Sequence, residues 1–200
     1  VNNAGSQPPL RIAFLQPAFE CPFFRLCRLA VEHAAREAGA YLRLVDYIHY
    51  DDAVIIDVLE AFDGVYIAPL AQNMPLSIMR RFSRARCRVV MFDHDLTDHG
   101  IGCINMFPDS HLPTLFDHLV ESGRAQLGCF NVQPEDSVIQ RRILAWRRWL
   151  RAHGQTGQLV NEPVQLYQHP IAQAYEVMSR LLDNGDLKGM TYVPEQQVYA

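Results

Sequence analysis

Short apolar, β-prone runs alternate along the chain with stretches whose apolar residues recur every three or four positions. Residues 10–16 (LRIAFLQ) predict a first strand. Pro22 suits a first helical turn, and Phe23, Cys27, Ala30, Ala34 and Ala38 follow at helical spacing up to a stop at Gly39. Residues 41–47 predict a second strand and 52–62 a short helix. Asp63-Gly64 turns into a third strand, VYIAP. A helix over 75–83 turns Ile78, Met79 and Phe82 inward, RVVMF (88–92) is the fourth strand, and 101–106 a shorter fifth. A helix follows from 109 or 110 to 123, with Pro113 in its first turn. Then come a strand over 125–132 and a strong helix over 135–153 striped by Ile139, Ile143, Trp146 and Leu150. A short strand near 164–167, a helix over 171–184 and a strand in MTYVPEQQVYA close the pattern.

Repeated strand–helix–strand units with short connections imply an α/β fold, a mostly parallel sheet with helices on both faces. Such sheets bind ligands beyond the carboxyl ends of their strands. The loops at 19–22, at Ala68-Pro69 and at Asp93-His94-Asp95 should therefore face one crevice. The last of these opens the stretch DHDLTDH, in which an apolar strand runs straight into carboxylates and imidazoles. Metal binding, acid–base chemistry or grip on a polar ligand would each use such residues.

Bulk properties narrow the choice. Two hundred residues hold one ordinary domain or two small lobes, and 49% hydrophobic residues supply a sizeable core. Net charge is −4 with no long basic run, so no nucleic-acid surface is expected. Five cysteines at loose spacing, with no CxxC, read as small buried hydrophobes in a reducing compartment. No 18-residue apolar run predicts a membrane span. Residues 1–9 are polar, lack a signal-peptide pattern and read as a linker.

The order of motifs resembles the effector-binding region of LacI/GalR-family transcriptional regulators. It rests on AFECPFF (similar to the family's NPFF-like element), AREAGAYLRLVDY, FDGVYIAP, RVVMFDHDL, HLVESGRAQLGCF and RRILAWRRWLRAHG. The resemblance runs from residue 10 to 200. It implies two Rossmann-like lobes with parallel sheets, of periplasmic-binding-protein-like type I, the first over 10–123 and an incomplete second over 124–200. It also implies a sugar or related polyol held between the lobes as effector, no cofactor, homodimerisation and a cytoplasmic regulator. Operator DNA would be bound only through a helix-turn-helix segment outside this chain. Cys21 stands where the family usually has asparagine, and Glu195-Gln196 where it has Asn-Asp.

By the resemblance Asp93 accepts bonds from a sugar hydroxyl and Arg142 clamps the ligand from the second lobe. Phe19, Cys21 and Pro22 line the first-lobe wall, and His169 and Glu195 match second-lobe pocket positions. The chemistry agrees: a neutral polyol needs fixed acceptors and donors, a carboxylate only accepts, and a guanidinium donates through a planar fork. Plainer readings stand beside these. Asp93 suits a turn cap, Arg142 sits among Arg141, Arg147, Arg148 and Arg151 on what reads as a solvated helix face, and Phe23 and Phe24 suit a core. Adjacent residues leaving a strand point apart, which disfavours a metal site in DHDLTDH. No GxGxxG, P-loop or GxSxG supports an enzyme. A transport receptor of the same fold, carrying a secretory signal or lipid anchor, is the remaining rival.

Overall fold

A computed structural model describes residues 8–19, 22–124, 126–186 and 191–194. Its strands are β1 (Arg11–Pro17), β2 (Tyr41–Tyr47), β3 (Gly64–Ile67), β4 (Arg88–Phe92), β5 (Gly102–Ile104), β6 (Leu127–Asn131), β7 (Leu159–Asn161) and β8 (Thr191–Pro194). Its α-helices are α1 (Pro22–Glu37), α2 (Ala53–Ala61), α3 (Leu76–Ser83), α4 (His111–Glu121), α5 (Ser137–Ala152) and α6 (Pro170–Asp183). Thr97–His99 forms a 3-10 turn. The alternation predicted from the sequence is thus the alternation observed.

Among the described residues two sheets form, and every strand pair in them is parallel. Sheet A has the order β2-β1-β3-β4-β5, and sheet B the order β7-β6-β8. Of the described residues, the first compact unit takes those up to Leu70 and Met74–Met106; the second takes Ala71–Asn73 and those from Phe107 onward. In sheet A the central strands are apolar on both faces, as parallel strands covered by helices must be. Residues 13–17 of β1 are all buried. In register across the sheet run Phe14, Tyr66, Val90 and Gly102 on one face, and Ala13, Val65 and Val89 on the other.

Two expectations are corrected. Helix α4, assigned from sequence to the first lobe, packs in the second unit: Leu112 and Phe116 join Leu127, Cys129, Ile143, Trp146 and Trp149 in one core. Trp149 fixes the pairing, since its ring lies 5.5 Å from Phe116 and its Nε1–H donates to Asp117 Oδ1 at 2.7 Å. The strand expected near 164–167 lies earlier, at Leu159–Asn161. Pro163 lacks the N–H a ladder needs, and Tyr167 adopts a positive φ of 70°.

What seats β7 is a close approach just before it. A Cβ on Gly157 would collide with the Leu127 carbonyl oxygen and stand 2.9 Å from Trp146 Cζ2. The Trp146 Nε1–H donates to that same carbonyl at 3.1 Å. Only glycine fits there. Gly157→Ala should therefore cost at least about 2 kcal/mol by overpacking, read as a lower urea midpoint by far-UV circular dichroism. Gly154→Ala, at φ +60° in open space, should cost about 1 kcal/mol. Equal effects of the two would contradict this packing.

Candidate functional site

In a parallel sheet every strand delivers its following loop to the same edge. At the carboxyl edge of sheet A the exits of β1, β3 and β4 are held by named bonds. The Ala18 N–H donates to the Tyr47 carbonyl at 2.8 Å, and Ala68 N–H to the Leu15 carbonyl at 2.8 Å. Two buried tyrosines after or ending β2 brace the β3 exit: Tyr47 Oη donates to the Ala68 carbonyl at 2.8 Å, and Tyr50 Oη accepts from Leu70 N–H at 2.9 Å. Sequence reading missed both. Their signal was a pair of aromatic hydroxyls three residues apart at a strand end, which periodicity alone does not interpret.

Asp93 follows β4 directly and holds φ 58°, in the left-handed region. Its N–H donates to the Ile104 carbonyl at 2.8 Å, and its Oδ1 accepts from Met106 N–H at 3.3 Å. A non-glycine residue there carries strain on the order of 1 kcal/mol, and such residues concentrate at functional sites. The rest of DHDLTDH separates by role. Asp95 Oδ1 accepts from Thr97 N–H at 3.1 Å and from Thr97 Oγ1 at 2.7 Å, so it closes an Asx turn leading into the 3-10 turn. Asp98 and His99 lie exposed in that turn, whereas His94 is buried. Among the described residues no group of three His, Cys, Asp or Glu side chains is placed to hold a metal ion.

Beneath this edge runs a chain of rings. Phe14 stacks on Tyr66 at 5.2 Å, Tyr66 meets Phe92 edge-on at 6.2 Å, and Phe92 meets Phe23 of α1 at 5.6 Å. Burial pushes the Tyr66 phenol well above the ordinary tyrosine range, and nearby Cys27, Cys103 and Asp93 act in the same direction. Phe23 and Phe24 are half-buried, Phe19 is half-buried, and Pro22 is exposed at the first position of α1. Of the cysteines in described positions, Cys87 and Cys129 are buried and Cys27 and Cys103 half-buried.

The second unit presents its own carboxyl edge. Asp136 caps α5, its Oδ1 accepting from Val138 and Ile139 N–H at 2.9 Å each. Nearly two turns further on, Arg142 is 9% exposed, unlike the exposed Arg147, Arg148 and Arg151. Its neighbour Arg141 instead pairs with Asp109 at 3.0 Å. At the end of β6, Asn131 is 1% exposed; its Nδ2 donates to the Gln133 carbonyl at 3.0 Å and to Asn161 Oδ1 at 2.7 Å. Asn161 in turn donates to Glu135 Oε1. These amides were not foreseen, although a buried asparagine ending an apolar strand was their sign. His169 is exposed at the N-cap of α6. Cys21 and Glu195 lie outside the described residues.

Two surface grooves lie elsewhere. One of about 490 Å³ runs beside β2 and α1, lined by Glu32, Arg36, Leu42 and Leu44. The other, about 280 Å³, lies beside Asp117, Glu121, Trp149 and His153, near the C-terminal end of α5.

The sequence matches no protein-family model and no curated protein. Solved structures do match. An ABC-transporter solute-binding protein from Burkholderia graminis C4D1M, solved with D-arabinose, aligns at TM-score 0.70 and 18% identity, over 94% of this chain and 66% of its own. A carbohydrate transporter protein from Acidothermus cellulolyticus 11B, with myo-inositol, aligns at TM-score 0.69 and 15% identity, over 94% of this chain and 65% of its own. The LacI-family transcriptional regulator CCPA from Weissella paramesenteroides, with glucose, aligns at TM-score 0.65 and 11% identity, over 92% of this chain and 79% of its own. The fold is the periplasmic-binding-protein-like type I fold. The chain spans about two thirds of the length of the transporter proteins it matches.

Asp93 gives the first test of the site's construction. Asp93→Ala should lose about 1–2 kcal/mol through strain and the lost acceptor. Asp93→Asn, which tolerates the left-handed region and keeps an oxygen, should lose under about 0.5 kcal/mol. Urea denaturation followed by circular dichroism measures both; an alanine variant as stable as the parent would contradict the strained, bonded geometry.

Proposed function

We propose that the chain binds a small polyhydroxylated ligand, a sugar or related polyol, and is the sensing domain of a LacI-family transcriptional regulator. The observation that carries the binding reading is Asp93: a carboxylate held in a strained left-handed conformation at the carboxyl edge of a parallel sheet, braced by Met106 N–H. In this reading Asp93 is the fixed acceptor of the first unit and Arg142 the donor of the second. Burial of Arg142 favours such a role over a solvated helix face. Phe19, Cys21 and Pro22 would form the apolar wall, with His169 and Glu195 as further polar contacts. Charge-assisted bonds of about 1.5–3 kcal/mol each, with an aromatic wall, suffice for micromolar affinity.

Sugars bound by the matching structures support this ligand class. Ligand contacts that differ between two conformations would bias one of them, and in a homodimeric regulator that bias would reach DNA-binding segments outside this chain. The second reading is a sugar-binding receptor of an ABC transporter, favoured by the arabinose- and inositol-bound neighbours. The encoded sequence preceding Val1 separates them: a helix-turn-helix against a signal peptide. Neither reading makes the protein an enzyme.

Thermal-shift measurements with D-arabinose, glucose and myo-inositol test the binding reading. A sugar at a hundredfold excess over its Kd should stabilise the protein by about 2.7 kcal/mol. Asp93→Ala and Arg142→Ala should each abolish that shift. An undiminished shift in both variants would overturn the site assignment.

A further inference from the structure

At the opposite edge of sheet A, Arg80, Arg81, Arg84, Arg86 and Arg88 lie within nine residues and are all exposed. Phe82, Ser83, Ala85 and Cys87 interrupt them, so the sequence does not read as a basic run; the fold gathers them. Helices of a parallel sheet end where its strands begin. Arg80, Arg81 and Arg84 lie in the last turn and cap of α3, and Arg88 opens β4, with its N–H on the Asp63 carbonyl. Ile78, Phe82 and Cys87 point inward, which leaves the guanidinium-bearing positions outward. No acidic residue occurs between 76 and 92, in a chain whose net charge is −4. Among the described residues none of the five forms an ion pair. The carboxylates that helix ends and strand starts bring to this edge include Glu37, Glu60, Asp63 and Asp98; Glu37 lies beside His33, Asp63 Oδ2 accepts from Arg11 N–H at 2.8 Å, and Arg11 itself lies over the Phe62 ring.

One or two arginines here would be explained by the negative end of the α3 dipole. Five unpaired ones exceed that need and repel one another. We propose that this face of the first unit binds the phosphate backbone of nucleic acid. Arg80 and Arg84 are one helical turn apart, about 6 Å along the axis, and the turn between Arg84 and Arg88 brings Arg86 and Arg88 to the same edge of the sheet. Each guanidinium fork matches a phosphate bidentately. The patch has no exposed aromatic or aliphatic anchor at its centre, such as a protein partner would engage, and a phosphate backbone needs none. The surface lies away from Asp93 and goes beyond the sugar-binding reading; its test does not involve a sugar.

The test is fluorescence anisotropy of a short labelled DNA duplex of arbitrary sequence with the full chain, titrated between about 50 and 200 mM salt. Binding should weaken with a log–log salt slope of about −4 to −5, the signature of five phosphate contacts. R80Q/R84Q/R86Q should lose at least tenfold in affinity and flatten the slope by about three. R81Q/R84Q should flatten it by about two, while R147Q/R148Q/R151Q on α5, the same charge change elsewhere, should leave it unchanged. Circular dichroism melting establishes that each variant is folded. Absence of salt-dependent binding, or equal losses in the α5 variant, would overturn the proposal. So would a polyglutamate peptide that competes as well as DNA of equal charge, which would assign the face to an acidic protein.

Discussion

The first unit's share of the candidate site is positioned by one constraint, the parallel ladder of β1, β3 and β4. Parallel neighbours require a crossover, and with L-residues that crossover is right-handed. Each strand must then begin at one edge and end at the other. The consequence is a division of chemistry. The carboxyl edge of sheet A collects the β1 exit, the tyrosine-braced β3 exit and Asp93. The amino edge collects helix C-termini and strand starts, and with them the arginines of α3 and β4.

The strength of the ladder also explains why a strained residue persists at its end. Asp93 donates its N–H to Ile104 and accepts from Met106 through its side chain, so β5 and the segment after it hold it from two sides. Sheet B repeats the device in different chemistry. There Asn131 and Asn161, register partners on β6 and β7, tie their strand ends together through side-chain amides rather than by backbone strain.

Most elements were legible because apolar periodicity and glycine or proline punctuation agree over their lengths. The helix ended by Gly39 and the strand RVVMF are examples. What was not legible depended on contacts between distant residues. The seat of β7 is set by Gly157 against Leu127 and Trp146, thirty and eleven residues away, and no local pattern announces it. The allegiance of α4 is set by Phe116 and Asp117 meeting Trp149. At the site, Asp93 was singled out by its place after a strand, but its left-handed backbone was not. Arg142 and Arg147 look alike in sequence, and only packing of the α5 stripe distinguishes the buried guanidinium from the exposed one.

In the proposed function the carboxyl edge of sheet A, with Asp93 as acceptor, recognises a polyol. A crystal structure after soaking with D-arabinose, glucose or myo-inositol tests it most directly. The expected result is an ordered sugar with a hydroxyl donating to an Asp93 carboxylate oxygen. A sugar ordered instead in the groove beside Asp117, Trp149 and His153, with none at Asp93, would contradict it.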